Sequence, residues 1–153
     1  MFSTLSSAVL IAIAGCFADD EPNADNDGTE SPDDRVDEYL TGGNAQMYDG
    51  DIEDHTGETE VTVAVGAGDE GTAFDPPAIR IDTGTAIVWE WTGEGGGHNV
   101  VPDGQTDFDD FGQDEVVDEE GHTVENTFDE PGVGLYVCEP HRAPGMYGAF
   151  IVE

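Results

Sequence analysis

The run AIRIDTGTAIVWEW, Ala78 to Trp91, decides the fold. It holds two apolar segments of strand length, rich in β-branched residues and parted by the turn-forming triplet Asp82-Thr83-Gly84. Neither shows the three-to-four-residue spacing of an amphipathic helix. In the second, Trp89 and Trp91 flank Glu90, so both tryptophans share one face, which is expected to pack into a core. Upstream, EVTVAVG (Glu60–Gly66) puts Val61, Val63 and Val65 on one face. Downstream come GHNVV, HTVENTF, GLYVC and YGAFIVE, punctuated by Gly, Pro and Asp. About seven to eight strands without a convincing helical stripe predict an all-β chain, an antiparallel β-sandwich. VDEYL (Val36–Leu40) reads as a short helical turn and NAQMYDG as a loop anchored by Tyr48. The longest irregular piece, Asp103 to Glu120, carries nine acids and reads as a surface excursion pinned by Phe108 and Phe111.

The charge is extreme. The chain has 36 acidic residues against three basic ones, a formal net charge of −33. The three bases are all arginine, namely Arg35, Arg80 and Arg142. Self-repulsion of that size weakens a compact state in dilute buffer, but at molar salt the Debye length falls to about 3 Å and the repulsion is screened. Because the apolar runs persist after Glu60, that region fits a folded domain adapted to concentrated salt, with disorder expected in the acid-rich part before it. Nucleic-acid phosphates are excluded as a partner by the same charge.

The N-terminus reads as an export signal. AVLIAIAGC (Ala8–Cys16) has an apolar core too short for a membrane-spanning helix but suited to a signal peptide. Its ending IAGC resembles a lipobox, although the segment before it, MFSTLSS, has no Lys or Arg. The expected layout is a signal peptide over residues 1–15, lipidation at Cys16, an acidic flexible stalk over 16–35, and a folded domain over 36–153. Localisation would then be the extracytoplasmic face of the cell membrane, through a lipid anchor. The alternative is an apolar N-terminal strand with a chance cysteine. Within the stalk, NADNDGTESPDD (Asn23–Asp34) loosely mimics a calcium loop but lacks its final Glu and flanking helices, so it reads as linker. Removal of the signal leaves Cys138 as the one internal thiol, and a free thiol outside the cytosol is oxidised unless something holds it.

That thiol sits in CEPHRAPGM, with Cys138, His141 and Met146 within nine residues. Copper in electron-transfer sites takes one thiolate, two imidazoles and a weak axial thioether. Pro140 and Pro144 stiffen the turn, and Gly145 permits a close approach just before Met146. His98 suits the second imidazole, since it opens an apolar segment directly after IVWEW and a glycine-rich turn. Three other classes compete: a Cys–His nucleophile pairing Cys138 with His98, a structural zinc site, and copper storage or delivery. Thioether is a poor zinc ligand, and no third orienting group for a nucleophile is visible. His55 and His122 lack such company and read as exposed.

Cys-x2-His-x4-Met with HNV far upstream resembles the plastocyanin-type cupredoxins. VTVAVGA, GTAIVWEWTGEGGGHNV and YVCEPHRAPGMYGAFIV resemble in particular the halocyanins, acidic small blue copper proteins of salt-loving archaea. The likeness covers residues 39–153. It implies a Greek-key cupredoxin fold and one type 1 copper ion held by His98, Cys138, His141 and Met146. It implies that Asn99 pins the cysteine loop; Gly97 reads first as a residue of simple loop flexibility, the alternative being a backbone carbonyl offered to copper as a long extra contact. It further implies a monomeric one-electron carrier, not an enzyme, serving redox partner proteins of a membrane electron-transport chain. The docking surface would surround His141, with Gly97, Val101, Pro102, Ala143 and Pro144 as an apolar rim and Arg142 beside it. Tyr147, where lysine often follows the methionine, and the acidic 103–120 excursion depart from the family pattern at that surface.

Overall fold

The computed structural model describes residues 29–153. The expected signal peptide, Cys16 and most of the expected stalk lie outside the described residues. The first element is a helix, α1, at Pro32–Gly42. Ser31 caps it by accepting from the Asp34 N–H at 3.1 Å, Pro32 occupies the first turn, and Asp33 and Asp34 place negative charge at the positive end of the helix dipole. Val36 and Leu40, one helical turn apart, are fully buried. The short turn expected at 36–40 is therefore an eleven-residue helix, beginning inside the stretch read as stalk. Order reaches well upstream of Glu60, which corrects the expectation of disorder there.

Ten strands follow, in chain order: β1 (Glu53–Asp54), β2 (Glu60–Ala67), β3 (Ala73–Asp75), β4 (Ala78–Ile81), β5 (Ala86–Trp91), β6 (His98–Pro102), β7 (Gln113–Val117), β8 (Thr123–Thr127), β9 (Gly132–Val137) and β10 (Tyr147–Val152). They form a six-stranded sheet of order β1-β4-β10-β9-β6-β7 and a four-stranded sheet of order β3-β2-β5-β8. The all-β sandwich stands, but its pairing is mixed. β1 with β4, β4 with β10, and β2 with β5 run parallel, and the rest are antiparallel. The physical reason is the crossover: β4 leaves for the other sheet, so β5 returns beside β2 in the same direction. β7 falls inside the 103–120 segment expected to be irregular.

Two apolar layers result. Between the sheets lie Trp89, Trp91, Phe74, Tyr136, Phe150, Phe111 and Phe128, with Trp89 stacked on Phe111 at 5.8 Å. Both tryptophans are buried, as their alternation with exposed Glu90 predicts. Phe111 is buried and Phe108 packs on Phe128 and Phe150, so the excursion is pinned where expected. The second layer joins Val36 and Leu40 of α1 to Ala78, Val133, Leu135, Ala149 and Ile151 on the outer face of the larger sheet. β9 and β10 are thus covered on both faces, and their apolar residues run without alternation. At Gly134 a side chain would collide with the Phe150 ring, so the glycine makes room for an aromatic on the neighbouring strand.

The three arginines each tie remote segments. Arg35 pairs with Asp107, Arg80 bridges Asp33 and Glu153, and Arg142 pairs with Asp103. Among the described residues no helix is long and apolar enough to cross a membrane.

Candidate metal centre

The register of β9 against β10 pairs Val137 with Tyr147, so Cys138 and Met146 stand opposite each other just past the end of the ladder. The Cys138 N–H donates to the Met146 carbonyl at 3.0 Å, and the Met146 N–H to the His141 carbonyl at 3.1 Å. Between them Glu139–His141 forms one 3-10 turn with proline in its first turn. The loop expected from CEPHRAPGM is therefore closed on itself by backbone bonds. His98 arrives from the start of β6, whose Val101 pairs with Val137. Cys138, Met146 and His98 are all fully buried, and His141 is half-buried.

The three nitrogen and sulfur donors form a tight triangle. His98 Nδ1 lies 3.1 Å from His141 Nδ1, and Cys138 Sγ lies 3.7 Å and 3.5 Å from those two atoms. A triangle with these sides has a point about 2.0 Å from every corner, the length of a metal–imidazole bond. His98 Nε2 is 2.7 Å from the Glu94 carbonyl, an acceptor only, so the ring proton sits on Nε2 and the Nδ1 lone pair faces the triangle. Burial holds His98 below its ordinary pKa despite that bond, with His141 nearby adding to the effect, which keeps the ring neutral as a ligand must be. Burial likewise pushes the Cys138 thiol up, against the pull of the Asn99 and His141 backbone N–H groups. Two ring nitrogens and a sulfur converging in a largely buried site are an arrangement that a cation satisfies. The donor set, with Met146 buried in the same cluster as Cys138, suits copper.

Asn99 closes the frame around the loop. Its Oδ1 accepts from the Glu139 N–H at 2.9 Å, and its Nδ2 donates to the Asp114 carbonyl and the Glu139 carboxylate at 3.0 and 3.1 Å. The Trp91 indole N–H donates to the His98 carbonyl at 3.1 Å, tying His98 to the core. Gly97 precedes His98 and packs closely against Val116. Around His141, Ala143 and Pro144 are exposed while Val101 and Pro102 are half-buried. Arg142 is exposed but engaged, both terminal nitrogens lying 3.2 Å from the Asp103 carboxylate. Burial pushes the Asp103 carboxyl up, yet the bonds from Arg142 and Tyr39 outweigh it and hold the group below the usual carboxylate range.

Two histidines depart from expectation. His122 is half-buried, edge-on to Trp91 at 4.8 Å and 2.8 Å from the Gln113 side-chain oxygen. His55 is half-buried between Glu53 and Glu58, at 3.1 and 3.3 Å. Neither approaches the triangle: among the described residues, the one group of three His, Cys or acidic side chains placed to share an ion is His98, Cys138 and His141. Sequence reasoning missed Glu94 as the acceptor that orients His98, and Gln46, which bonds the ligand loop from the segment after α1. Both act through positions or carbonyls that no residue pattern marks.

A two-sheet β-sandwich with a thiol, two imidazoles and a thioether gathered at one end is a single-site metal-binding β protein. The family described as "Copper binding proteins, plastocyanin/azurin family" matches residues 61–153. A halocyanin of Natronomonas pharaonis is 52% identical over 151 residues, 99% of this chain and 91% of that one. Plastocyanin A/B of Petroselinum crispum is 30% identical over 96 residues, 60% of this chain and 98% of that one. Among solved structures, the oxidised plastocyanin of Dryopteris crassirhizoma aligns with a TM-score of 0.50 at 25% identity, over 61% of this chain and all of that one. The chain belongs to the plastocyanin/azurin family of copper-binding proteins, a cupredoxin with one type 1 copper as its cofactor.

Proposed function

We propose that the chain is a one-electron carrier, not an enzyme, working on the extracytoplasmic face of the cell membrane, where lipid at Cys16 tethers it as a monomer. Copper, when bound, supplies a Cu(II)/Cu(I) couple. The observation that carries the reading is the triangle of His98 Nδ1, His141 Nδ1 and Cys138 Sγ, already near bonding geometry and braced on several sides. The frame of Asn99, Trp91 and the two loop-closing backbone bonds holds these donors in place, which keeps the reorganisation that accompanies electron transfer small. Burial of His98, Cys138 and Met146 excludes water from three ligands. His141 is the half-exposed one, so its ring is the route by which an electron enters and leaves. The rim of Gly97, Val101, Pro102, Ala143 and Pro144 fits the brief, small-area contact of redox partners of a membrane electron-transport chain.

The test is an absorption spectrum of the purified chain with Cu(II) in concentrated salt. An intense visible thiolate-to-copper band, bleached by ascorbate and absent in Cys138→Ser, is the expected result. A colourless protein that retains zinc would overturn the reading. A band that bleaches but does not recover on mixing with an oxidised redox protein would favour copper storage or delivery instead.

A further inference from the structure

The segment following α1 reaches the metal end of the sandwich and bonds the ligand loop at two consecutive residues. The Gln46 backbone N–H donates to the Gly145 carbonyl at 2.9 Å. Its side-chain Nε2 lies 3.0 Å from the Pro144 carbonyl, 2.8 Å from Thr72 Oγ1 and 3.1 Å from the Thr72 carbonyl. An amide nitrogen has two hydrogens, so three acceptors share them and one amide ties three chain segments together. Gly145, at φ +100°, presses against the same segment, since a Cβ there would meet the Asn44 carbonyl oxygen. Asn44 and Met47, on either side of Gln46, adopt left-handed conformations at φ 53° and 69°, which non-glycine residues keep only where their surroundings hold them.

These contacts end on Pro144 and Gly145, immediately before Met146. The other loop bonds, Cys138 to Met146 and Met146 to His141, tie the loop only to itself. Asn99 anchors its front half through Glu139, and Gln46 anchors its back half. A thioether is a weak ligand, so its placement is set by the protein more than by the bond it makes. Asn44 and Gln46 lie outside the residues matched by the family description, 61–153.

We propose that Gln46 is a positioning residue for the metal ligands: by fixing the Pro144 and Gly145 carbonyls from outside the loop, it sets where Met146 stands relative to Cys138 and the histidines. The proposal rests on the copper reading above. Its test has a metal-free arm and a copper-loaded arm, each on the full chain in concentrated salt. The variants are Gln46→Ala, Gln46→Glu (similar in size, but unable to donate when ionised), and Arg35→Ala, which cuts another tie of α1 at Asp107.

In the metal-free protein, amide hydrogen exchange at Cys138 and Met146 should quicken about tenfold in both Gln46 variants, the loss expected for one or two hydrogen bonds, while β5 exchange stays as in the parent. With Cu(II), both Gln46 variants should show altered relative intensities of the visible bands, altered copper hyperfine splitting and a displaced reduction potential. Arg35→Ala should lower the melting temperature yet keep the parent's spectrum and potential. Parent-like exchange or parent-like spectra in the Gln46 variants would overturn the proposal, as would Arg35→Ala reproducing their shifts. Absence of the thiolate band from the parent itself would instead defeat the copper reading, leaving the exchange arm to judge the brace.

Discussion

At the scale of single residues, the candidate ligands could be picked out because local spacing confines them. Cys138, His141 and Met146 fall within one turn between two apolar runs, so no long-range folding is needed to bring them together. His98 was legible by its place at a strand start after a glycine-rich turn. Gln46 was not, because it meets the Pro144 carbonyl 98 residues further along the chain, and no periodicity records such a meeting. Asn99 offers a direct prediction. Asn99→Leu, of similar bulk but without polar atoms, leaves the Glu139 N–H without its acceptor, at a cost of about 0.5–1.5 kcal/mol. Chemical denaturation of the metal-free protein should read that loss, and copper should dissociate faster from the variant.

Asp107 gives a pH-dependent case. The Arg35 hydrogen bonds, opposed by partial burial and helped by the Val133 N–H, hold its carboxyl below the usual range. Its folded value lies below its unfolded one, so its contribution is present above the unfolded pKa and is lost as pH falls through the folded value. Asp107→Asn keeps an acceptor for Val133 but loses the charge. Discounted for the exposure of the pair, the expected loss is about 0.5 kcal/mol at neutral pH. Urea unfolding from pH 7 down to pH 2 in fixed high salt should show parent and variant converging in acid.

At the scale of elements, strands with a regular two-residue alternation or a continuous apolar run were readable, and the elements missed were those with neither. β7, QDEVV, is an edge strand whose middle residues are all exposed, so burial imposes no alternation on it. α1 turns only Val36 and Leu40 fully inward, too few to outweigh the acids around them, and its clearest mark is the Ser31-Pro32-Asp33-Asp34 start. Strand direction was also hidden, since parallel pairing follows from crossovers between sheets and leaves no trace in a strand's own residues. The consequence for α1 is testable. Leu40→Ala empties a fully buried site between helix and sheet and should cost about 2–4 kcal/mol. Because α1 leads into Gln46, exchange in the ligand loop should rise along with it, which backbone amide exchange by NMR would show.

At the scale of the whole molecule, charge governs the conditions under which any of this holds. A net charge of −33, with each of the three arginines engaged in a close pair, leaves the remaining acids to repel one another. Lowering sodium chloride from several molar to about 0.1 M lengthens the Debye length from below 3 Å to about 10 Å. The melting temperature of the metal-free chain should fall steadily over that range, and bound copper should offset part of the fall by binding only the folded state. An unchanged melting temperature would mean that close pairing, not ionic screening, balances the acids. The sandwich itself was legible at this scale because apolar runs survive amid so many acids.

The course of α1 has one more consequence. Its first turn lies by Arg80 and Glu153, where β10 ends, and its last turn lies by Tyr147 and Gly145, where β10 begins beside the ligand loop. The helix thus runs along the outer face of the larger sheet, about 16 Å for eleven residues. The described residues before Pro32 consequently join the body at the pole opposite the ligands. On the proposed tether, the pull would come from the end remote from His141, which would leave that ring free to meet a partner.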